Sequence, residues 1–197
     1  TKFGNTCPQI TELGVFAGPV SLTEDCLFLN VFTPRTPPAN AKKLPVLLWI
    51  HGGGLFDGES NDYDASALVK GGPAGPTVVV TINYRLGALG FMAHPALSAE
   101  SSYGGSGNYG TMDQQFALQW VQDNIAAFGG NPKRVTIFGE SAGGNSMFAH
   151  LISPTAKGLF RRAIIESGSS EQRLPALAEA EATGQTLAST VGCADQT

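Results

Sequence analysis

Val135-Thr136-Ile137-Phe138-Gly139-Glu140-Ser141-Ala142-Gly143-Gly144 is the stretch on which the reading of the whole chain turns. A run of β-formers stops abruptly at Gly-x-Ser-x-Gly, and helix-compatible sequence follows to about Ile152. Strand, tight turn and helix in that order are the setting of a nucleophile elbow. The glycines around Ser141 leave room where a Cβ would collide with neighbouring backbone. The serine is thereby lifted into the open above the N-terminus of the next helix. The Ala142 N–H is then expected to point toward a developing oxyanion.

Working outward, Pro45-Val46-Leu47-Leu48-Trp49-Ile50 is a near-continuous apolar run, as in a strand buried on both faces. It ends in His51-Gly52-Gly53-Gly54, a loop whose glycines let backbone approach a ligand and supply N–H donors opposite the elbow. Leu27–Phe32, Thr77–Ile82 and Arg162–Glu166 read as further strands. Asp64–Val69, Met112–Phe128 and Ala176–Val191 read as helices, the last weakened at Gly184. In the second helix Phe116, Trp120, Ile125 and Phe128, with Ala117, Leu118 and Val121, suggest a broad apolar face, stopped by Gly129-Gly130-Asn131-Pro132. From Asn83 to about Gly110 the chain reads as irregular, long enough to line a site. Strands alternating with helices predict one α/β unit with a largely parallel sheet covered on both faces.

Composition narrows the function. Hydrophobic residues make up 42% of the 197 and charged ones 14%, suiting a large buried interior. The net charge of -4 includes no block of like charge, so neither nucleic acid nor an anionic membrane surface is indicated. No apolar run approaches a membrane span. Gly105-Ser106-Gly107-Asn108-Tyr109-Gly110 fits a dinucleotide pattern, but the strand that should precede it is missing. No cysteine–histidine pair has metal-ligand spacing, so neither metal nor cofactor is expected.

Cys7 and Cys26 bracket a turn-rich loop and read either as a disulfide or as two buried thiols. Cys193 is a free thiol or has its partner in chain beyond these residues. A serine nucleophile needs a histidine base oriented by a carboxylate. His51 belongs to the glycine loop, and His150 lies nine residues beyond Ser141, roughly 13 Å along the same helix. His94 reads as an ordinary loop histidine that geometry alone does not exclude. The base and acid are therefore expected outside this sequence.

Glu24-Asp25-Cys26-Leu27-Phe28-Leu29-Asn30-Val31-Phe32-Thr33-Pro34 resembles the second signature of the type-B carboxylesterase family, and Phe128–Pro132 with Phe138–Gly144 resembles its active-site signature. The likeness continues through His51–Gly54, Asn83–Gly87, Gly107–Gln114 and Ser167–Ser169. It implies an α/β-hydrolase fold, here its N-terminal portion. It implies Ser141 as nucleophile, Gly53, Gly54 and Ala142 as oxyanion donors, Glu140 beside the nucleophile, and Ser167 as a hydroxyl near the triad. It pairs Cys7 with Cys26 and expects a later partner for Cys193. Residues 1–197 would then be a single partial domain, without the first strands and without the catalytic acid and histidine. The partners implied are a small-molecule ester and the rest of the same enzyme.

Where cholinesterases carry a tryptophan for the choline cation, the corresponding position is Phe16, and the loop closed by Cys7 and Cys26 is shorter. A cation–π site on Phe is weaker than on Trp, which favours a general carboxylic-ester hydrolase. The rival expectations are a non-catalytic binding or adhesion module and an inactive fragment. An uncovered sheet edge would make the isolated segment poorly stable. A secreted or extracytoplasmic setting fits a disulfide, although no Asn-x-Ser/Thr sequon is present.

Overall fold

The computed structural model describes residues 2–10, 20–35, 43–71, 73, 75–169 and 173–193; Phe16 lies outside them. Among the described residues five strands form one sheet: β1 (Leu29–Phe32), β2 (Leu44–Ile50), β3 (Val78–Ile82), β4 (Gly130–Glu140) and β5 (Arg162–Glu166). Their order is β1-β3-β2-β4-β5. Only β1 runs antiparallel, against β3; the other pairs are parallel. The helices are α1 (Ser66–Lys70), α2 (Gly87–Phe91), α3 (Pro95–Glu100), α4 (Tyr109–Asn124), α5 (Ala142–Ile152) and α6 (Leu177–Thr190).

The apolar runs become strands for the expected reason. β3 is buried at every position, and β2 alternates buried and half-buried residues. On one face Val46, Leu48, Ile50, Val80 and Ile137 meet Leu118, Val121 and Ile125 of the α4 region and Met147 of α5. On the other, Val79 meets Ala65 and Val69 beside α1. Each such aliphatic side chain contributes roughly 1.5–3 kcal/mol by leaving water. At the edge, β5 pairs with β4 and exposes Arg162, Ile164 and Glu166 in alternation.

Three expectations need correction. The stretch from Asn83 to Gly110 is not irregular: it holds α2, α3 and the first two residues of α4. Pro95 starts α3, and His94 Nδ1 accepts the Ala96 N–H at 3.2 Å, a cap whose signal was present in the sequence. Second, the helix over Met112–Phe128 spans Tyr109–Asn124, with 3-10 geometry over Ile125–Phe128. Its buried face carries Asp113, Gln114, Leu118 and Val121, while Phe116 is 74% exposed. Partners for two polar residues set that face: Arg85 grips Asp113 through two side-chain bonds of 2.7 and 2.8 Å, and Gln114 bonds His150. Third, Gly184 is not a weak point of α6 but its buried contact residue. A Cβ there would collide with the Ala93 carbonyl.

Ile50 of β2 pairs with Gly139 of β4, so both strands end together. From β2 the chain builds outward to β3 and later crosses to β4 on the other side, making their junction the topological switch point. Backbone packs on backbone there: a Cβ at Gly143 would clash with the Ile50 carbonyl oxygen and lie 2.8 Å from that of His51. Gly143→Ala is expected to cost about 3 kcal/mol or more in a urea melt of the full-length protein. Gly105→Ala, whose new methyl would meet only the Tyr103 ring at 3.3 Å, should stay within about 1 kcal/mol of wild type.

Candidate functional site

Ser141 sits between the last residue of β4 and the first of α5, with φ 54° and ψ -119°. A non-glycine residue rarely holds a positive φ, and doing so costs on the order of 1–3 kcal/mol. The described residues contain two other non-glycines of this kind, Leu55 at φ 68° and Ser167 at φ 52°. Leu55 directly follows the glycine loop, and Ser167 directly follows β5. Ser141 and Ser167 are brought together by the bond from the Ser141 N–H to the Glu166 carbonyl, and Leu55 adjoins the glycine loop.

The elbow is held by backbone hydrogen bonds. The Ser141 N–H donates to the Glu166 carbonyl at 2.9 Å, and the Ser141 carbonyl accepts the Asn145 N–H at 2.8 Å. Asn145 Oδ1 accepts the Ser169 N–H at 2.8 Å, fixing the turn after Ser167. Gly144 leaves room for the same turn: a Cβ there would lie 3.1 Å from the Gly168 nitrogen. Glu140 pairs in register with Glu166 and is half-buried.

The glycine loop lies against the elbow. A Cβ at Gly52 would stand 2.9 Å from the Glu140 carbonyl oxygen and 3.2 Å from the Ser141 Cβ. Gly53 (φ 92°) and Gly54 (φ 61°) occupy the left-handed region. The Gly53 carbonyl accepts the N–H groups of Phe56 and Asp57, each at 3.0 Å. Among the described residues no hydrogen bond takes the N–H of Gly53 or Gly54. Ala142 opens α5, so its N–H has no partner within the helix. The structure thus brings Ser141, Ala142, the glycine loop, Glu140 and Ser167 to one place.

The three histidines are each engaged elsewhere. His51 stacks on Tyr84 with ring centroids 4.4 Å apart, and its Nδ1–H donates to the Gly52 carbonyl at 2.8 Å. The Tyr84 hydroxyl donates to the His51 carbonyl at 2.8 Å. His150 is buried between α4 and α5 and donates from Nε2 to Gln114 Oε1 at 2.8 Å. Gln114 Nε2 donates to Ser146 Oγ at 3.3 Å, which donates to the Ala142 carbonyl at 3.0 Å. His94 caps α3. The sequence reading missed this chain of buried amide, hydroxyl and imidazole. Ser146 and His150 are one turn apart, but nothing local marks Gln114 as their partner.

Cys7 and Cys26 form a disulfide, and both are 1% exposed. Cys193 is a free, exposed thiol. Among the described residues no group of three metal-ligating side chains occurs, and no helix is long and apolar enough to cross a membrane. Beside Gly54 opens an apolar cavity of about 490 Å³, lined by Phe56, Phe91 and Met92 on one side and by Thr183 and Leu187 of α6 on the other.

A family profile described as "Carboxylesterase family" matches residues 1–197. The chain belongs to the carboxylesterase family. Among curated relatives, the fumonisin B1 esterase of Sphingopyxis macrogoltabida is 48% identical over 188 residues, covering 94% of this chain and 34% of that protein. The para-nitrobenzyl esterase of Bacillus subtilis (strain 168) is 48% identical over 180 residues, covering 86% of this chain and 34% of that protein. A solved PNB esterase superposes with a TM-score of 0.82 at 44% identity, covering 97% of this carboxylesterase chain and 38% of its own. The N-terminal portion of the α/β-hydrolase fold is thereby shown, and the chain spans about a third of the length of these curated relatives.

Burial lowers the pKa of both His51 and His150 from 6.5 to about 4, so each is neutral when folded. A histidine depressed in the folded state favours folding fully above about pH 6.5, and that advantage is lost as pH falls toward 4. In this window each should contribute up to about 1.4 kcal/mol per pH unit to the slope of stability. Urea melts of the full-length protein at pH 7, 6 and 5 are expected to show this fall. His150→Gln should remove about half of the slope, and an unchanged slope would contradict its neutral burial.

Proposed function

We propose that the parent protein is a serine carboxylesterase working through an acyl-enzyme on Ser141. The observation that carries this reading is the backbone of Ser141, strained at φ 54° and set against the glycine loop by contacts too close for any Cβ. Ser141 Oγ attacks the ester carbonyl carbon as its proton passes to a histidine. The carbonyl electron pair moves onto oxygen, and the N–H groups of Gly53, Gly54 and Ala142 stabilise that charge. Collapse expels the alcohol, which takes the proton, and water then attacks the acyl-enzyme and repeats the cycle to release the acid. In this reading Glu140 and Ser167 flank the reacting serine and steady its surroundings.

The base and acid are assigned to chain outside these 197 residues, because His51, His94 and His150 are already bound to other partners. The buried disulfide supports an oxidising, extracytoplasmic setting. The apolar cavity beside Gly54 supports esters with a hydrophobic arm that lies against α6.

A fluorophosphonate mixed with the full-length enzyme is expected to add once, on Ser141, as read by intact and peptide mass. Ser141→Ala should lose the adduct and at least about 10⁴-fold of kcat. An unlabelled Ser141 in folded full-length protein would favour a non-catalytic binding module instead. For the hydrophobic arm, Thr183→Phe is expected to lower kcat/KM for a long-chain p-nitrophenyl ester about tenfold, leaving the acetate within about twofold. Equal loss on both esters would remove the cavity from substrate binding.

A further inference from the structure

Gln9 belongs to neither the elbow nor the glycine loop, yet its side chain is 6% exposed and both polar atoms of its amide are engaged. Nε2 donates to the carbonyls of Cys7 and Gly58, each at 3.0 Å. Oε1 accepts the Gly58 N–H at 2.8 Å. One amide thus satisfies both backbone groups of a residue 49 positions away. A buried polar group left without a partner is costly, so this is a stiff connection.

Gly58 is the outer wall of the histidine that supports the glycine loop. It has φ 110°, and a Cβ there would strike the His51 imidazole and lie 3.0 Å from the Gly52 carbonyl oxygen. The same His51 Nδ1–H holds that Gly52 carbonyl. On the other side Gln9 is anchored. The disulfide joins Cys7 to Cys26, and Gln9 exchanges backbone hydrogen bonds with Ser21. Asn83 Nδ2 donates to the carbonyls of Asn5 and Cys26, each at 3.0 Å, and its Oδ1 accepts the Ser60 N–H at 2.8 Å. The disulfide-tied segment and residues 58–60 are therefore one hydrogen-bonded unit.

We propose that Gln9 is a positioning residue for ester hydrolysis: it clamps Gly58 against His51 and so holds the N–H donors of Gly53 and Gly54 where the oxyanion forms. The inference rests on the esterase reading above. A donor displaced by a fraction of an ångström loses most where charge develops, in the transition state, and little in the bound ester.

The test uses the full-length enzyme, with active sites counted by fluorophosphonate titration. Gln9→Leu is expected to lower kcat per titrated site about 10- to 100-fold, with KM within about twofold of wild type. Binding of a trifluoromethyl ketone, which forms a tetrahedral adduct, should weaken in proportion to kcat/KM. Amide exchange should quicken over residues 52–58 while β3 keeps its protection. Gln9→Asn keeps a buried amide one methylene short of Gly58, so it should show a smaller loss of the same kind. It carries the test if Gln9→Leu does not fold.

Wild-type kcat per titrated site and wild-type exchange over residues 52–58 would overturn the proposal, whatever the melting temperature. A merely structural role gives that outcome: fewer active molecules, each turning over normally. Should the wild-type enzyme itself lack serine-dependent hydrolysis, the esterase reading falls. Exchange over residues 52–58 still decides the clamp.

Discussion

Backbone pressed directly on backbone, with no side chain between, joins the end of β2 to the start of α5. Gly139 and Gly143 make the contact possible, since a Cβ on either would meet the Ile50 carbonyl oxygen. The first turn of α5 is thereby drawn in against the sheet, and Ser141 must bridge strand and helix in very few atoms. Its positive φ follows from that geometry. The strain at Ser141, Leu55 and Ser167 persists because the surrounding core holds each segment in place. Rigidity around the serine and stability of the sheet are thus one property.

The polar residues of the interior extend the same arrangement. Asp113, Gln114, His51 and His150 are all buried, and each is bonded to a group on another segment or on the glycine loop. Buried polar groups lacking partners would destabilise the fold, but satisfied ones specify how helices meet. Here Arg85 and Asp113 set α4 against the end of β3, while Gln114 and His150 set it against α5. Orientation of α4 is decided by these bonds as much as by its apolar residues. Among the described residues Phe116 is left exposed while Gln114 lies inside.

This explains what the sequence could and could not disclose. The strands were legible because β-branched runs such as Val78–Ile82 can be little else, and Arg162–Glu166 matches its strand residue for residue. The elbow and glycine loop were legible because their glycines are local demands of tight backbone. Most of the apolar face was legible, since Leu118, Val121 and Ile125 are in the core with Ala117 and Trp120 packed on it, but an apolar pattern cannot register Asp113 and Gln114 as buried when their partners lie far along the chain. Gln9 was silent for the same reason: its significance resides in Gly58. Gly184 looked like a defect because helix propensity weighs a residue against solvent, not against the carbonyl it has to pass.

The strand order also has a consequence for how the molecule is made. Val46 pairs with Val135, so β2 cannot acquire its main neighbour until about ninety further residues have been synthesised. Pairings of such sequence separation are slow to form because the intervening loop must close first. Until then β2 and β3 offer an apolar ribbon with one side open, the kind of surface that chaperones shield on a growing chain. The serine-bearing turn belongs to the strand that ends this exposure. Formation of the serine-bearing turn and pairing of β2 with β4 are therefore one event on the nascent chain.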